Sequence, residues 1–505
     1  MQRCSTVNLV SIIDDHPADA VALVSRSAET TYGELRDQVS RLAGGLTGLG
    51  LEPGDRMAIV CGTNWYFAVA YLAALRAGLV AVPLNPQSPP AELADELATV
   101  GARAAVVGPA GAGAMAEAVT KTLPEFEYLV ACRPGDLDGS IPLEELLGAD
   151  PMETVERAPD DLAALMFTSG TAGLPRAAML SHGNLMVNIE QAQDDPARRR
   201  DAADVVLGVL PLFHIFGLNV ILGGSLAVGA RVVLVERFDP ASCLETVARH
   251  QATDMTGPPT MWAALAAQPG GSPLAVESVR RCASGAARLT EEVALAVKER
   301  LGLDLKEGYG LTETSPIVAT SVGTDAPIGS IGRPIAGVEV RLVDEDDGDV
   351  YVGDPGELWV RGPNVFQGYW NDPEATRRAL TDDGWLRTGD IAVVDDDGCL
   401  YLVDRAKDLI IVSGFNVHPA EVEDVLVAHP AVDGAAVVGV EHPHTGEAVK
   451  AFVVLAPGAA VEEDELIDHV GRHLARYKAP SKVMFVDEIP QGLGGKVLRR
   501  ELREA

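Results

Sequence analysis

Basic residues are scarce in this 505-residue sequence, which carries 40 lysines and arginines against 73 aspartates and glutamates and has a formal net charge of −33. No block of basic residues offsets that charge. Binding to DNA or to an anionic lipid surface is therefore disfavoured by electrostatic repulsion. Only eight of the basic residues are lysine, so arginine is the usual cation of this chain.

Cysteine is scarce as well. The six cysteines, at positions 4, 61, 132, 243, 282 and 399, are far apart and include no CxxC pair. This spacing argues against a disulfide framework and against a zinc site. The N-terminus is not typical of a signal peptide, because its short apolar run meets Asp14 and Asp15 at once. We expect a cytoplasmic protein.

Charged residues are absent from positions 205–230. That length would nominally suffice for a membrane-spanning helix. However, Pro211 and the glycines at 208, 217, 223, 224 and 229 would interrupt such a helix. We predict a buried strand, loop and helix instead.

The chain is too long for a single hydrophobic core, which favours two or three domains. In the first 132 residues, short β-branched runs alternate with helical patterns, as in VALVS followed by TYGELRDQVSRLAGGLTGLG. Such alternation predicts crossover units and a mostly parallel sheet. After about residue 325, shorter strands and turns rich in Asp and Gly indicate a β-rich subdomain, in which the acidic runs DEDDGD and DDDG are interpreted as hairpin turns.

A segment rich in glycine and hydroxyl side chains, FTSGTAGLPRAAMLSH, occupies positions 167–182. Thr168, Ser169 and Thr171 alternate with Gly170 and Gly173, so the backbone can turn tightly and direct N–H groups and hydroxyls at one anion. The spacing is not that of a Walker A loop. Taken alone, the segment could also be an ordinary surface turn.

Five further motifs follow in order: SGAARL (284–289), GYGLTET (308–314), GWLRTGD (384–390), VDRAKDLIIVSGFNVHPAE (403–421) and GGKVLRREL (494–502). Together with the loop, they resemble the signature motifs of the adenylate-forming superfamily of acyl-CoA synthetases, luciferases and peptide-synthetase adenylation domains. The stretch from GWLRTGD onwards is most similar to bacterial fatty-acid CoA ligases. The resemblance covers nearly the whole chain.

The resemblance implies a ligase that joins a fatty acid to ATP, releases pyrophosphate, and then lets the thiol of coenzyme A displace AMP from the acyl adenylate. It also implies an α/β fold in which residues 1–404 form an N-terminal adenylation domain of parallel-sheet layers plus the β-rich subdomain. Residues 408–505 would form a small, mobile α+β C-terminal domain. The hinge would be residues 405–407, with rotation about Lys407 between the two half-reactions.

Several residues are implied to handle the phosphates. The loop residues would hold the β- and γ-phosphates, with Arg176 stabilising their charge. Thr312 and Glu313 are implied as catalytic residues, and Glu313 would ligate Mg²⁺ between the phosphates. Lys496 would reach the substrate carboxylate and the α-phosphate, where its ammonium offsets the repulsion between two anions.

Other residues are implied to contact the nucleoside. Gly285, Ala286 and Gly308 are small enough to let adenine approach the backbone, and Tyr309 offers its ring. Asp390 would accept from both ribose hydroxyls, while Arg405 would approach the ribose and phosphate from the domain junction.

The remaining implied residues concern the acyl chain and coenzyme A. His214 would stand at the mouth of the acyl pocket, although a lone histidine among apolar residues is more often a core residue. Segments 217–224 and 256–262 would line the acyl tunnel. Gly414 would let the pantetheine arm of coenzyme A pass close to the backbone.

The phosphate loop departs from the usual family pattern, TSGTTGxPKG, at Ala172, Arg176 and Ala177. One lost hydroxyl removes a donor worth about 0.5 to 1.5 kcal/mol, and Arg176 keeps the charge in a bulkier, planar head. Arginine here fits the composition of the chain. Lys496 is still lysine, which supports a need for its compact ammonium.

Three functions remain open from the sequence. We favour a fatty acyl-CoA ligase with fatty acid, ATP, Mg²⁺ and coenzyme A as substrates and cofactors. The alternatives are a fatty acyl-AMP ligase that loads an acyl carrier protein, and an inactive acyl- or nucleotide-binding relative. We expect neither nucleic acid nor a transmembrane segment, and a homodimer is left open.

Overall fold

The computed structural model describes residues 8–26, 28–120, 123–168, 176–269, 273–344, 346–405, 408, 410–412, 415–417, 419–442, 446–474, 476–491 and 497–504. Its α-helices are α1 (Tyr32–Gly48), α2 (Trp65–Arg76), α3 (Pro90–Val100), α4 (Ala112–Ala118), α5 (Leu143–Leu147), α6 (His182–Gln193), α7 (Gly224–Leu226), α8 (Pro240–His250), α9 (Pro259–Ala267), α10 (Glu291–Leu301), α11 (Pro373–Ala379), α12 (Pro419–Val427), α13 (Glu463–His473) and α14 (Arg499–Glu504). A π-helix spans Phe216–Gly223 and short 3₁₀ turns span Leu9–Ile13, Pro273–Val276, Thr312–Thr314 and Arg476–Lys478.

The strands are β1 (Val21–Ser25), β2 (Ala28–Thr31), β3 (Arg56–Val60), β4 (Val80–Pro83), β5 (Ala104–Val107), β6 (Tyr128–Ala131), β7 (Ile141–Pro142), β8 (Leu162–Thr168), β9 (Arg176–Ser181), β10 (Val205–Gly208), β11 (Arg231–Leu234), β12 (Asp254–Gly257), β13 (Arg281–Ser284), β14 (Lys306–Gly310), β15 (Ile317–Thr320), β16 (Arg333–Pro334), β17 (Glu339–Val343), β18 (Gly356–Arg361), β19 (Leu386–Val394), β20 (Leu400–Arg405), β21 (Ile410–Val412), β22 (Phe415–Val417), β23 (Val432–His442), β24 (Gly446–Leu455) and β25 (Lys482–Phe485).

Two sheets build the N-terminal part of the chain. The first has the strand order β7-β6-β5-β3-β4-β8-β9, and the second has the order β16-β15-β14-β13-β12-β10-β11-β1-β2. Their central strands pair in parallel, as β3 does with β4 and β5, and as β12 does with β10 and β13. This arrangement confirms the predicted α/β fold with parallel sheets.

The first sheet is buried on both faces. In β3, Met57 and Ile59 belong to the core between the two sheets, whereas Ala58 and Val60 pack on the other side against α3 and α4. Because side chains alternate along a strand, a near-continuous apolar run suits a strand covered on both faces. Helices α8, α9 and α10 cover the outer face of the second sheet.

The prediction for residues 205–230 is confirmed. The segment forms β10, then the π-helix and the short α7, and most of its side chains are buried. Among the residues described, no helix combines the length and apolar character needed to cross a bilayer.

One predicted strand does not belong to the sheet that the next predicted strands, β3 to β6, form. VALVS forms β1, which pairs in parallel with β11 and antiparallel with β2 in the second sheet. The β-branched pattern predicts a strand but does not select its partner, because that choice depends on residues some 200 positions away.

The β-rich subdomain and the C-terminal part follow in order. Strands β17, β18, β19 and β20 form a four-stranded antiparallel sheet, as the turns rich in Asp and Gly predicted. The DDDG run is the turn between β19 and β20, where Asp395 N donates to the carbonyl of Cys399. In the C-terminal part, β21 to β25 form a mixed sheet with α12 and α13 on one face and α14 on the other.

Candidate active site

A cavity of about 880 Å³ opens near the carboxyl ends of β8, β13 and β14. That edge is where open α/β sheets bind their ligands. The predicted site residues that line the cavity are Thr168, Arg176, His214, Gly285, Ala286, Gly308, Tyr309, Thr312 and Glu313. The fold therefore gathers residues from distant motifs around one space.

The two ends of the predicted phosphate loop lie side by side. Thr168 ends β8 and pairs with Arg176, which begins β9. The loop residues Ser169, Gly170, Thr171 and Gly173 lie outside the described residues, as do Ala172, Lys407, Gly414 and Lys496. Arg405 ends β20 and its backbone pairs with that of Asp390; its side chain is outside the description.

Arg176 is held at the cavity by two neighbours. Its Nε donates to Asp372 Oδ2 at 3.1 Å, and its guanidinium carbon lies 5.8 Å from the ring centroid of Tyr369. The Arg176 side chain is only 19% exposed. A planar guanidinium can make the ion pair and the ring contact together, which an ammonium does less well.

Glu313 lies next to this cluster in the 3₁₀ turn that begins at Thr312. Its Oε1 accepts a hydrogen bond of 2.8 Å from the hydroxyl of Tyr369. Burial, and then the charge of Glu313, raise the pKa of Tyr369. The hydroxyl therefore keeps its proton and remains a donor to the carboxylate at neutral pH.

Tyr309 and Asp390 contact each other directly. The Tyr309 hydroxyl donates to Asp390 Oδ2 at 2.6 Å, and both residues are buried. Tyr309 borders the cavity, but Asp390 lies behind it, next to the lining residues Thr388 and Gly389. A hydrogen bond to an ionised carboxylate is stronger than one between neutral groups, so each residue fixes the orientation of the other.

The small residues around the predicted adenine site differ in what they permit. A Cβ on Gly285 would lie 2.9 Å from Cζ of Phe216, so glycine avoids a steric conflict there. At Gly308 the nearest atom would be 3.7 Å away, so contacts with the protein do not require glycine. Ala286 has φ of +69°, a conformation that residues other than glycine rarely adopt and that often occurs at functional sites.

His214 faces the cavity and is not a core residue. Its Nδ1 accepts from the backbone N–H of Phe216 at 3.2 Å. The side chain is open to the cavity, yet desolvation by the surrounding protein lowers its pKa. The imidazole is therefore mainly neutral at neutral pH.

The two predicted acyl segments contribute less lining than expected. Within 217–224 and 256–262, Val220 and Thr256 line the cavity. Asn219 instead donates to the carbonyls of Leu185 and Ser315, and Trp262 donates to a backbone carbonyl from the core. Most side chains of both segments are buried in the protein instead. In 217–224, the π-helix presents one face to the cavity and buries the other.

Sequence reasoning missed several lining residues. Tyr369 lies between the GYGLTET and GWLRTGD motifs, and Phe216 follows His214 directly. Arg378 and Arg387 also border the cavity; Arg387 belongs to the GWLRTGD motif, but no role was assigned to it. An aromatic residue beside a motif is a weak signal, since aromatic residues are common in cores.

The C-terminal part reaches the same cavity. Leu498, two residues after Lys496, is among the lining residues. Arg288 Nη1, on the other side, lies 3.0 Å from Asp424 Oδ2 of α12. This conformation places Leu498 of the GGKVLRREL motif at the cavity.

Residues 12–370 match the AMP-binding enzyme family, and residues 421–496 match the AMP-binding enzyme C-terminal domain. The chain belongs to the AMP-binding enzyme family. Family membership agrees with the motif resemblance and with the two-part architecture.

Members of the AMP-binding enzyme family with high similarity include CoA ligases for different acids. A long-chain-fatty-acid–CoA ligase of Yersinia pestis is 37% identical, covering 96% of this chain and 92% of its own length. The 4-coumarate–CoA ligase 1 of Solanum tuberosum is 35% identical, covering 94% and 88%. These relatives support an AMP-forming acyl-CoA ligase without fixing the acid.

Solved structures of this family resemble the whole chain. ATP-bound MatB from Rhodopseudomonas palustris is 34% identical and superimposes with a TM-score of 0.91, covering 98% of both chains. The apo structure of MatB superimposes on this chain with a TM-score of 0.79. The conformation of this chain is therefore closer to that of ATP-bound MatB.

Proposed function

We propose that this chain is a fatty acyl-CoA ligase, which forms an acyl adenylate from a fatty acid and ATP and then the coenzyme A thioester. One observation carries the proposal: a single cavity is lined both by the ends of the phosphate loop and Glu313 and by Phe216, Val220 and Cys282, which are here called the apolar arm. An apolar arm suits a hydrocarbon chain, because burying its surface is favourable by about 25 cal/mol per Å².

The phosphate side is proposed as follows. Arg176 and the loop of residues 168–175 hold the leaving pyrophosphate, where a cation and backbone N–H groups stabilise the negative charge that develops. The fixed geometry of Arg176, between Asp372 and Tyr369, reduces the reorganisation needed when phosphate binds. The departure from the usual lysine is in this way compatible with function.

Glu313 fits the needs of Mg²⁺. It is half-buried at the cavity, one carboxylate oxygen accepts from Tyr369, and no described residue donates to the other oxygen. A hard cation that keeps most of its water ligands needs one or two protein carboxylates. When bound, Mg²⁺ would neutralise phosphate charge, and Glu313 would hold it there.

The nucleoside side is proposed to use Tyr309, Asp390 and the Gly285–Ala286 turn. The hydrogen bond from Tyr309 fixes the plane of the Asp390 carboxylate, which is proposed to accept from the ribose hydroxyls. Arg405 is proposed to approach the ribose and phosphate, and His214 to stand at the mouth of the acyl arm. Gly414 is proposed for the path of pantetheine.

Lys496 is proposed to bring the substrate carboxylate and the α-phosphate together. The position of Leu498 at the cavity supports this role. Residues 408–505 are proposed to rotate about Lys407 after adenylation, so that Lys496 leaves and coenzyme A enters. The difference between the two MatB comparisons supports such a change.

The proposal is tested by separating the half-reactions. We expect acid-dependent exchange of labelled pyrophosphate into ATP, and thioester formation once coenzyme A is added. Adenylate without thioester would favour a ligase that loads a carrier protein. Absence of pyrophosphate exchange with every acid would favour an inactive acyl- or nucleotide-binding protein.

The role of Lys496 is tested with the variant Lys496→Ala. We expect adenylation to fall by at least about a hundredfold, because an ammonium that offsets repulsion between two anions acts in the transition state. Thioester formation from acyl adenylate supplied directly should be retained. The exposed Lys482 on β25 provides the matched control, and Lys482→Ala should retain both steps. Equal loss of both steps in Lys496→Ala would contradict the assignment.

A further inference from the structure

The same cavity is also lined by a group of charged side chains. Arg198, Arg200, Asp254 and Arg281 all line it, and they are here called the distal charged wall. Asp254 begins β12 and pairs in register with Arg281, which begins β13. Gly285, at the nucleotide end, directly follows β13. The distal charged wall therefore stands at the opposite end of β13 from the Gly285–Ala286 turn.

Strand geometry sets the distance between the two ends. Four residues separate Arg281 from Gly285, which at about 3.3 Å per residue amount to about 13 Å. Each carbon–carbon bond of about 1.5 Å advances an extended chain by somewhat less than its length. An extended chain of about eight to twelve carbons is therefore comparable in length to the distance between the Gly285–Ala286 turn and the distal charged wall.

Two of the three arginines of the distal charged wall donate hydrogen bonds to Asp254. Arg200 makes a bidentate contact with Asp254, at 2.9 and 3.1 Å, and also donates to the carbonyl of Val220. Arg281 donates to Asp254 at 3.0 Å and forms a second ion pair with Asp204. Burial alone would raise the pKa of Asp254, but Arg200 and Arg281 outweigh it and hold the pKa below its ordinary value.

Arg198 differs from these two. Its side chain is 13% exposed, and its recorded ion pair is with Asp195 at 3.9 Å, the limit of such contacts. Its Nε is buried, and no residue in the described part of the chain accepts a hydrogen bond from it. A buried guanidinium donor without an acceptor is costly. Arg198 lines the cavity, and its guanidinium is therefore less completely paired than those of Arg200 and Arg281.

We propose that the distal charged wall binds a second carboxylate at the far end of the substrate, and that Arg198 determines this specificity. This inference rests on the proposed acyl-CoA ligase function. A methyl group at this position would desolvate the exposed part of the Arg198 guanidinium without a partner, whereas a carboxylate would form an ion pair with it. The preferred substrates are then medium-length fatty acids carboxylated at the end remote from the reacting group.

The test compares acids of equal length. Decanedioate, 10-hydroxydecanoate and decanoate are assayed by pyrophosphate exchange and by thioester formation, with palmitate as the long alkyl acid. We expect kcat/KM of the wild-type protein to be at least about tenfold higher for decanedioate than for decanoate, the ratio expected from one charge-assisted hydrogen bond. 10-Hydroxydecanoate should fall between them.

The residue is tested with Arg198→Met, matched with Arg199→Met at the adjacent, exposed position. Arg198→Met should remove the preference for decanedioate while leaving kcat/KM for decanoate unchanged or higher. Arg199→Met should keep the wild-type ratio. If Arg198→Met does not fold, Arg198→Gln, which retains a donor, should reduce the ratio partially.

Several results would overturn the inference: a wild-type preference for decanoate or palmitate, an unchanged ratio in Arg198→Met, or an equal loss for all acids in a folded variant. Failure of the proposed function has a different outcome, because then no acid supports pyrophosphate exchange.

Discussion

The hydrogen bond from Tyr369 to Glu313 allows a direct test of how the phosphate side is organised. Tyr369→Phe removes the hydroxyl that donates to Glu313 at 2.8 Å. The ring remains, so its contact with Arg176 at 5.8 Å and its packing against Phe366 at 4.9 Å are retained. The variant therefore removes one interaction and preserves the others.

The magnitude follows from the chemistry of the bond. A hydrogen bond to a charged group contributes about 1.5 to 3 kcal/mol. Glu313 is only half-buried, so we take the lower value, about 1.5 kcal/mol. This corresponds to about a tenfold loss. If Glu313 ligates Mg²⁺, the loss should appear in kcat/KM for MgATP. The rate of pyrophosphate exchange should also depend less strongly on the Mg²⁺ concentration.

The assay is pyrophosphate exchange at varied Mg²⁺, with Tyr351→Phe as the control because Tyr351 is 83% exposed. Thioester formation from supplied adenylate should be unchanged in both variants. A change of less than twofold in exchange for Tyr369→Phe would refute the reasoning. An effect confined to KM for the acid would also refute it, because it would place Glu313 away from the phosphates.

Two further predictions concern the same region. Gly285→Ala should raise KM several-fold both for ATP, since Gly285 belongs to the proposed nucleoside site, and for the acid, since its Cβ would lie 2.9 Å from Phe216 of the apolar arm. The double variant with Phe216→Ala should recover most of the loss for the acid, and additive losses would contradict this. Burial raises the pKa of Glu307 to about 7, so its charged form destabilises the fold increasingly as pH rises from about 4.5 through 7. Glu307→Gln should therefore raise Tm at pH 8, where the free energy of unfolding increases by up to roughly 3 kcal/mol. At pH 5 it should raise Tm much less. Equal Tm differences at both pH values would contradict the assignment.

Most of the architecture was predictable because it is encoded locally. Alternating apolar runs such as RMAIVC predicted the strands of the first sheet, and the interrupted segment 205–230 was correctly predicted to be buried. Partner choice was not predictable. VALVS has the same pattern as its neighbours, yet β1 lies in the second sheet because its partner, β11, is distant in sequence.

The candidate site divides in the same way. Thr312 and Glu313 could be named because they are adjacent within one motif. The donor to Glu313 could not, because Tyr369 is 56 residues away and its hydroxyl meets the carboxylate only when the chain folds. Likewise, the sequence did not show what orients an arginine at position 176. The structure shows that Asp372, 196 residues away, accepts a hydrogen bond from it.

The sequence by itself determined the family, the order of the motifs and the residue types available for phosphate, metal and nucleoside. These properties depend on short segments, in which the spacing of the residues indicates what chemistry they can perform. Only the tertiary structure decided which side chains meet, which residues of the acyl segments line the cavity, and that the distal charged wall lines the same cavity. Arg198, Asp254 and Arg281 come from three segments, and their charge acts on one site because folding removes them together from water.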